Sequence, residues 1–228
     1  MIQELKVSEL VGSASALEGR EKSRSNARNP WCAVWRGYPL NSLLDMFSKD
    51  VNIHRIAVTD DQGEVIGVIS QSAVIEFVDS KLNSLPGLAS SPLSAFLNSE
   101  KAIRSVKQSD NLTDAYIELL SSGLSGLAVV DENGRLVGAL TASNLRRHGY
   151  DLDMLLTIMT RTVKDLLEEG QEGGSAPVIV PATATLQEVT SALLGRHIHR
   201  VFTVDGEGHP NGVVSLCDIV THLSNSAA

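Results

Sequence analysis

The 228-residue sequence holds only two cysteines, Cys32 and Cys217, far apart and outside any Cys-x-x-Cys or Cys/His ligand spacing. Their scarcity excludes a disulfide framework and a cysteine-based metal site, and suits a reducing compartment. No run approaches the roughly 18 apolar residues of a membrane-spanning helix. The amino-terminal MIQELKVSEL lacks the basic stretch and apolar core of a secretory leader. Positive charge is also short. With 19 Lys and Arg against 27 Asp and Glu, the formal net charge is -8, which argues against general binding to nucleic acid or anionic membranes but leaves room for a local basic pocket. The sequence contains no GxxxxGKS/T phosphate loop, no GxSxG elbow and no HExxH helix. His197, His199 and His209 lie close together without a carboxylate or cysteine at ligand spacing, so no metal is expected. A soluble, non-catalytic protein is the expectation, with 43% hydrophobic residues to build a core.

What is present is a repeated plan. Arg196 to Leu223, RHIHRVFTVDGEGHPNGVVSLCDIVTHL, reads as strand, glycine turn, strand and a helix opened by an acid. RIAVTD (55–60) with EVIGVIS (64–70), and GLAVVD (126–131) with RLVGALT (135–141), repeat the two strands. The glycine of the second strand recurs at Gly67, Gly138 and Gly212, at spacings of 71 and 74 residues. Each copy carries a serine or threonine expected three residues before the first helical position. A helix with one apolar face is predicted before each hairpin, from Leu40, Leu43, Leu44 and Phe47, from Leu112, Ala115, Tyr116 and Leu119, and from Leu186, Val189 and Leu193. In DENG, Asn133 and Gly134 both tolerate positive φ and signal a tight hairpin.

Between these landmarks, LEGREKSRSNARNP (17–30) reads as an exposed polar segment and WCAVWRGYPL (31–40) as a short buried strand leading into a helix. AVIEFVDS (73–80) is a predicted helix, 81–100 a linker punctuated by Pro86, Gly87 and Pro92, and AIRSVKQ (102–108) a strand. TASNLRRHG closes the second unit with a helix whose Arg146, Arg147 and His148 form a cationic end. DLDMLLTIMTRTVKDLLEEG (151–170) reads as one helix and QEGGSA as a flexible turn. The resulting plan is an amino-terminal extension over 1–30, expected to be poorly ordered, units over 31–81, 101–150 and 177–225, and a linker helix and loop over 151–176. The fold class is α+β, with small three-stranded sheets packed by two helices each. A sheet so small cannot cover both its faces and needs a neighbour.

All three units resemble CBS motifs, which pair into Bateman modules. SGLAVVDENGRLVGALTASNL, YDLDMLLTIMT and HIHRVFTVDGEGHPNGVVSLCDI resemble the last two motifs of the γ regulatory subunit of AMP-activated protein kinase. VNIHRIAV resembles that family's second motif, and LPGLASSPLSAFLNSE the segment after it. The likeness covers roughly residues 35 to 224. That family has four motifs in two pairs, and the units here match the second, third and fourth. The resemblance implies that the second and third units form one module, and that the first, left with an uncovered face, pairs with another chain or is partly unstable. It further implies a non-catalytic regulatory module that needs no cofactor and takes AMP, ADP or ATP between paired motifs. Kinase catalytic and β-type subunits, or a second copy, are the implied partners, and the cytoplasm, or the nucleus, the implied location. The alternative is a structural or dimerising module with little ligand response.

Asp218 follows Ser215 by three positions and reads two ways: as a cap whose acid suits the helix dipole, or, as the resemblance implies, as the acceptor of both ribose hydroxyls. Ala73 and Asn144 stand at the equivalent positions, so one competent site is expected at Asp218, an altered one near Asn144 and none at Ala73. His199 with Arg200, and His54 with Arg55, open equivalent strands. They read as solvated strand ends or as phosphate ligands, guanidinium and imidazole both being donors. Thr141 aligns with Ser215, as a cap or a phosphate contact. Ser109 and Asp110 lie on the loop where the resemblance places a hydroxyl near the ligand. Asp110 would repel phosphate, and reads also as a cap for LTDAYIELL. Ala115 matches a small residue against the ligand, or belongs to the core.

Overall fold

The computed structural model describes residues 31–97, 103–147, 158–169 and 176–227. The extension at 1–30, His148 and most of QEGGSA lie outside the described residues. The elements are β1 (Ala33–Trp35), α1 (Leu40–Lys49), β2 (Arg55–Thr59), β3 (Val65–Ser70), α2 (Gln71–Asp79), β4 (Ser105–Lys107), α3 (Leu112–Ser121), β5 (Gly126–Val130), β6 (Leu136–Thr141), α4 (Ala142–Arg147), α5 (Val163–Glu169), α6 (Leu186–Gly195), β7 (Arg200–Val204), β8 (Pro210–Ser215) and α7 (Leu216–Ala227).

One hairpin is built three times, and an aspartate sets its turn each time. Asp60 Oδ1 accepts the N–H groups of Gln62 and Glu64, both at 2.9 Å. Asp131 Oδ1 does the same for Asn133 and Arg135 at 2.8 Å, and Asp205 Oδ1 for Glu207 and His209 at 2.9 Å. Each turn closes on a glycine in the left-handed region, Gly63, Gly134 and Gly208, where a side chain would be strained. Asn133 does not share that conformation; only the glycine of DENG takes positive φ. The first two hairpins carry the same bulge, so Thr59 pairs with Val65 and Val130 with Leu136.

β1 and β4 add parallel third strands, giving sheets ordered β1-β2-β3 and β4-β5-β6. The third sheet has two strands instead of the expected three, its would-be first strand reduced to a parallel bridge between Ile179 and Phe202. Pro177 and Pro181 flank that segment and have no N–H to extend the ladder. Ser70, Thr141 and Ser215 stand directly before α2, α4 and α7, not three residues ahead.

The chain divides into two compact units. The first takes the described residues up to Leu97, Thr183–Arg200 and those from Val214 onward. Here Leu40, Leu43, Leu44 and Phe47 of α1 are fully buried. α7 packs on α1 and α2, and α6 on α2. Thr190 Oγ1 of α6 donates to Asp79 Oδ1 of α2 at 2.5 Å. The first repeat therefore has its helical side covered by helices of the third, contrary to the expectation that it stands alone. The 81–97 stretch is more than a linker. It coils through short turns and buries Leu82, Ala89, Leu93 and Phe96, and Leu93 N–H donates to Ala184 O at 2.8 Å. Nor is β1 a buried strand: only Val34 is covered, and Trp35 is 54% exposed.

The second unit comprises the described part of Asn98–Ala182 with Val201–Val213. α3 lays Leu112, Ala115, Tyr116 and Leu119 into a core with Leu127, Val129, Leu140, Val163 and Leu166. Gly138 leaves room for α5: a Cβ there would stand 2.6 Å from Leu167 Cδ1. The expected helix over 151–170 is broken at residues 161 and 162, where Leu112 N–H donates to Arg161 O at 2.9 Å and a Thr162–Asp165 cap starts α5 anew. The second and third hairpins are joined. Leu136 N–H donates to Gly208 O at 2.9 Å, and the His209 ring lies between Asn133 O, 2.9 Å from Nε2, and Asp205 Oδ2, 3.2 Å from Nδ1.

The Tyr116 hydroxyl is buried with no hydrogen-bond partner among the described residues, and burial pushes its pKa up. Tyr116→Phe removes an unmet polar group at almost constant shape, so denaturant unfolding should show equal or greater stability, by up to about 1 kcal/mol. A loss of that size would reveal a partner for the hydroxyl. His209 meets an acceptor at each ring nitrogen, and the Asn133 carbonyl first, then Asp205, raise its pKa above the usual histidine value. Its contribution is then fully present below about pH 6.5 and is lost as pH rises through the folded-state value. The melting-temperature gap between wild type and His209→Ala should be wide at acid pH and narrow at alkaline pH. A gap independent of pH would refute the charged bridge.

Candidate functional site

Each hairpin ends in a helix start, and the three starts differ in the residue that defines the candidate site. At the first, Ser70 Oγ accepts the Ala73 N–H at 3.2 Å, with no acid to answer it. At the second, Asn144 Oδ1 accepts Thr141 N–H at 2.8 Å and Thr141 Oγ–H at 2.5 Å. At the third, Asp218 Oδ2 accepts Ser215 N–H at 2.7 Å and Ser215 Oγ–H at 2.5 Å. One oxygen of the half-buried Asp218 is thus committed to the cap, and a ribose hydroxyl would have to be received through Oδ1. The device is general in this chain. Thr162 with Asp165, both bonds at 2.7 Å, and Thr185 with Glu188 build it at helix starts that follow no hairpin. TVKD at 162–165 and TLQE at 185–188 carry the signal in the sequence.

The two His-Arg pairs occupy equivalent places. Gln71 N–H, at the first position of α2, donates to His54 O at 3.3 Å, and Leu216 N–H, at the first position of α7, donates to His199 O at 3.2 Å. Each pair therefore sits against its own helix start. In the third repeat, the bond from Leu216 to His199 brings the chain before Arg200 against Ser215 and Asp218. Their environments then diverge. His54 and Arg55 are exposed, with His54 Nδ1 2.9 Å from Asn52 O. His199 is exposed but Arg200 is 9% exposed, and desolvation pulls its pKa down to about 10, still charged at neutral pH. HRVFTV and HRIAVT give no hint of that difference.

The remaining sequence-predicted residues lie apart. Thr141 serves the α4 cap. Asp110 is not the cap of α3. That role falls to Asn111, whose side chain accepts Thr113 N–H at 2.9 Å, while Asp110 Oδ2 closes its own turn by accepting Lys107 N–H at 2.8 Å. Ser109 Oγ donates to Glu132 Oε1 at 2.5 Å, the first cause holding the Glu132 carboxyl below its usual range. Ala115 is 1% exposed inside the core, where no ligand reaches it. A hollow of about 300 Å³ opens among Leu82, Asn83, Pro86, Ala89, Ser90, Thr185 and Gln187. Its lining carries no charged side chain and none of the expected site residues. Cys32 and Cys217 are free thiols, and no cluster of metal-ligating side chains occurs among the described residues.

A family model for the CBS domain matches residues 32–80, 99–151 and 158–225. The protein named SDS23 in Podospora anserina is 30% identical over 175 residues, an alignment that takes in 73% of this chain and 34% of the relative. The SNF1-related protein kinase regulatory subunit gamma-like PV42b of Arabidopsis thaliana is 26% identical, over 82% of this chain and 63% of its own. The chain thus spans about a third of the length of the first relative and under two thirds of the second. Among solved structures, a Methanocaldococcus jannaschii protein described as a putative archaeal homologue of the AMP-activated kinase γ subunit shares the fold, with a TM-score of 0.67 over 85% of this chain and 67% of its own at 15% identity. With its three hairpin-and-helix repeats falling inside the matched segments, the chain belongs to the CBS domain family.

Proposed function

We propose that this chain is a non-catalytic regulatory module that binds an adenine nucleotide at its third repeat. The observation carrying the proposal is the Leu216 to His199 bond, which draws the buried Arg200 guanidinium and the Ser215–Asp218 helix start into one neighbourhood. A buried cation is costly, and an anion at its side offsets that cost. A carboxylate accepts from ribose hydroxyls, while guanidinium and imidazole donate to phosphate. The first repeat has the basic pair without the acid, and the second has Asn144 in the acid's place, so one site is the expected number. The regulatory part of the proposal draws support from the γ-like relative and from the archaeal fold neighbour. Kinase catalytic and β-type subunits are the proposed readers, and the change they read requires a ligand that prefers one packing of the repeats over another.

A second reading, an interaction module with little ligand response, is favoured by the cap itself. Since Thr162–Asp165 and Thr185–Glu188 use the same bonds for folding alone, folding also accounts for Asp218.

Thermal shift with AMP, ADP, ATP, NADH and S-adenosylmethionine separates the two readings, because a ligand at a hundred times its Kd adds about 2.7 kcal/mol of stability. No shift with any of them selects the interaction module. Asp218→Asn tests the residue, since Asn144 shows that an amide sustains the cap. The variant should melt near wild type yet lose more than about 1.5 kcal/mol of nucleotide binding in calorimetry. Unchanged affinity would move the site elsewhere.

A further inference from the structure

The first sheet turns an apolar face to solvent. Register places Trp35, Thr59 and Val65 in one row across the three strands and Ala33, Ala57 and Val68 in the next. The bulge brings Val65 round to this face, with Ile66 as its extra residue. The other face, with Val34, Ile56, Val58 and Ile69, is buried. On the open face Trp35 is 54%, Val65 52%, Ile66 41% and Val68 41% exposed, and of the two rows only Ala57 is covered. The Trp35 indole is laid down over Gly37, where a Cβ would stand 2.1 Å from its ring.

The second sheet supplies the internal control. The same register and bulge build the rows Lys107–Val130–Leu136 and Ser105–Ala128–Ala139. There Val130 and Ala128 are buried and Leu136 and Ala139 half-buried, in a hairpin joined turn to turn with the third through Leu136–Gly208 and His209–Asn133. The first hairpin has the same aspartate turn and the same apolar rows without a mate.

We propose that this face is the interface of a symmetric homodimer, in which the β2–β3 hairpin of a second copy seats on it turn to turn. A two-fold pairing puts one patch against itself, and this patch meets the requirement. Within the chain the edge bond is one-sided, because Pro210, in Val65's place in the third hairpin, has no N–H. Val65 keeps its N–H, so two copies can each donate to the other's Gly63 carbonyl. The exposed indole supplies the aromatic anchor common at such interfaces. Charge gives the pairing a signature. Asp60, Asp61 and Glu64 crowd the turn, with Arg36 held 2.6 Å from Asp61. Turn-to-turn seating brings two acidic turns together, so screening by salt strengthens the dimer. A basic partner would be weakened by salt. This inference stands apart from the nucleotide reading.

The test is analytical ultracentrifugation of the full chain without nucleotide over a wide concentration range, at low and high salt. Reversible dimerisation that tightens with salt is expected. Val68→Glu, which places a charge in the middle row, should weaken association by roughly tenfold or more. Ile117→Glu, on an exposed position of α3, should leave it unchanged. Circular dichroism checks that each variant folds. Should Val68→Glu fail to fold, Glu64→Arg decides: it lies in the exposed turn and should tighten the dimer and abolish the salt dependence. A monomer at all concentrations, association weakened by salt, or a Glu64→Arg dimer no tighter than wild type would each overturn the proposal.

Discussion

The grip of one aspartate on two backbone N–H groups recurs at 60, 131 and 205, and the architecture rests on it. By holding the turn, the carboxylate fixes where the second strand begins and therefore which side chains face the helices. A slip of one residue would exchange the two faces of a strand. With the bulge in the same place in the first two sheets, the turn delivers Ile69 and Leu140 to the helical side. It delivers Val68 and Ala139 to the other. Repetition of the turn is why three stretches with little identity build one shape.

Each sheet so built has one side closed by its own helices and one side open. The chain closes these sides in more than one way. The third hairpin meets the second through its turn, whereas the third repeat's helices α6 and α7 close the helical side of the first. One repeat thus serves two neighbours by presenting a hairpin to one and helices to the other. This division explains why the two compact units divide within β7 and β8, and why treating repeats as sequential beads misassigns their partners.

Much of the fold was legible in the sequence because it rests on periodicity and on glycine. Leu40, Leu43, Leu44 and Phe47 announce a buried helix face, and Gly67, Gly138 and Gly212 mark equivalent strand positions. Asp60, Asp131 and Asp205 stand at the same 71- and 74-residue spacings and are equally readable. They pass as turn polarity because an aspartate before a hairpin is common. What pattern alone could not give depends on distant partners. Trp35 carries the residue type of a core strand, yet its face of the sheet has no cover. The apolar run at 151–170 reads as one helix, and only pairing with the loop before α3 interrupts it. Asp110 and Asn111 are both good caps, and geometry picks the second. The candidate site was legible as a pattern at Ser215 and Asp218. The difference between the buried Arg200 and the exposed Arg55 was not, since the local sequences are alike and tertiary packing decides.

Capping and ligand binding at Asp218 place different demands on one side chain. A cap needs a single acceptor atom at the helix start, as Asn144 shows, and an amide would serve Ser215 equally well. A negative charge adds stability through the helix dipole, typically below about 1 kcal/mol at an exposed site, and the chain takes that gain at Asp165 and Glu188 too. The acid at 218 is set apart from those two by its neighbour. At the third repeat the helix start stands beside a strand opened by a buried guanidinium, a costly arrangement that neither the cap nor the fold of the first repeat requires, since Arg55 fills the equivalent place in solvent. The functional weight of the site therefore rests less on the carboxylate, which the fold already accounts for, than on the burial of Arg200 beside it.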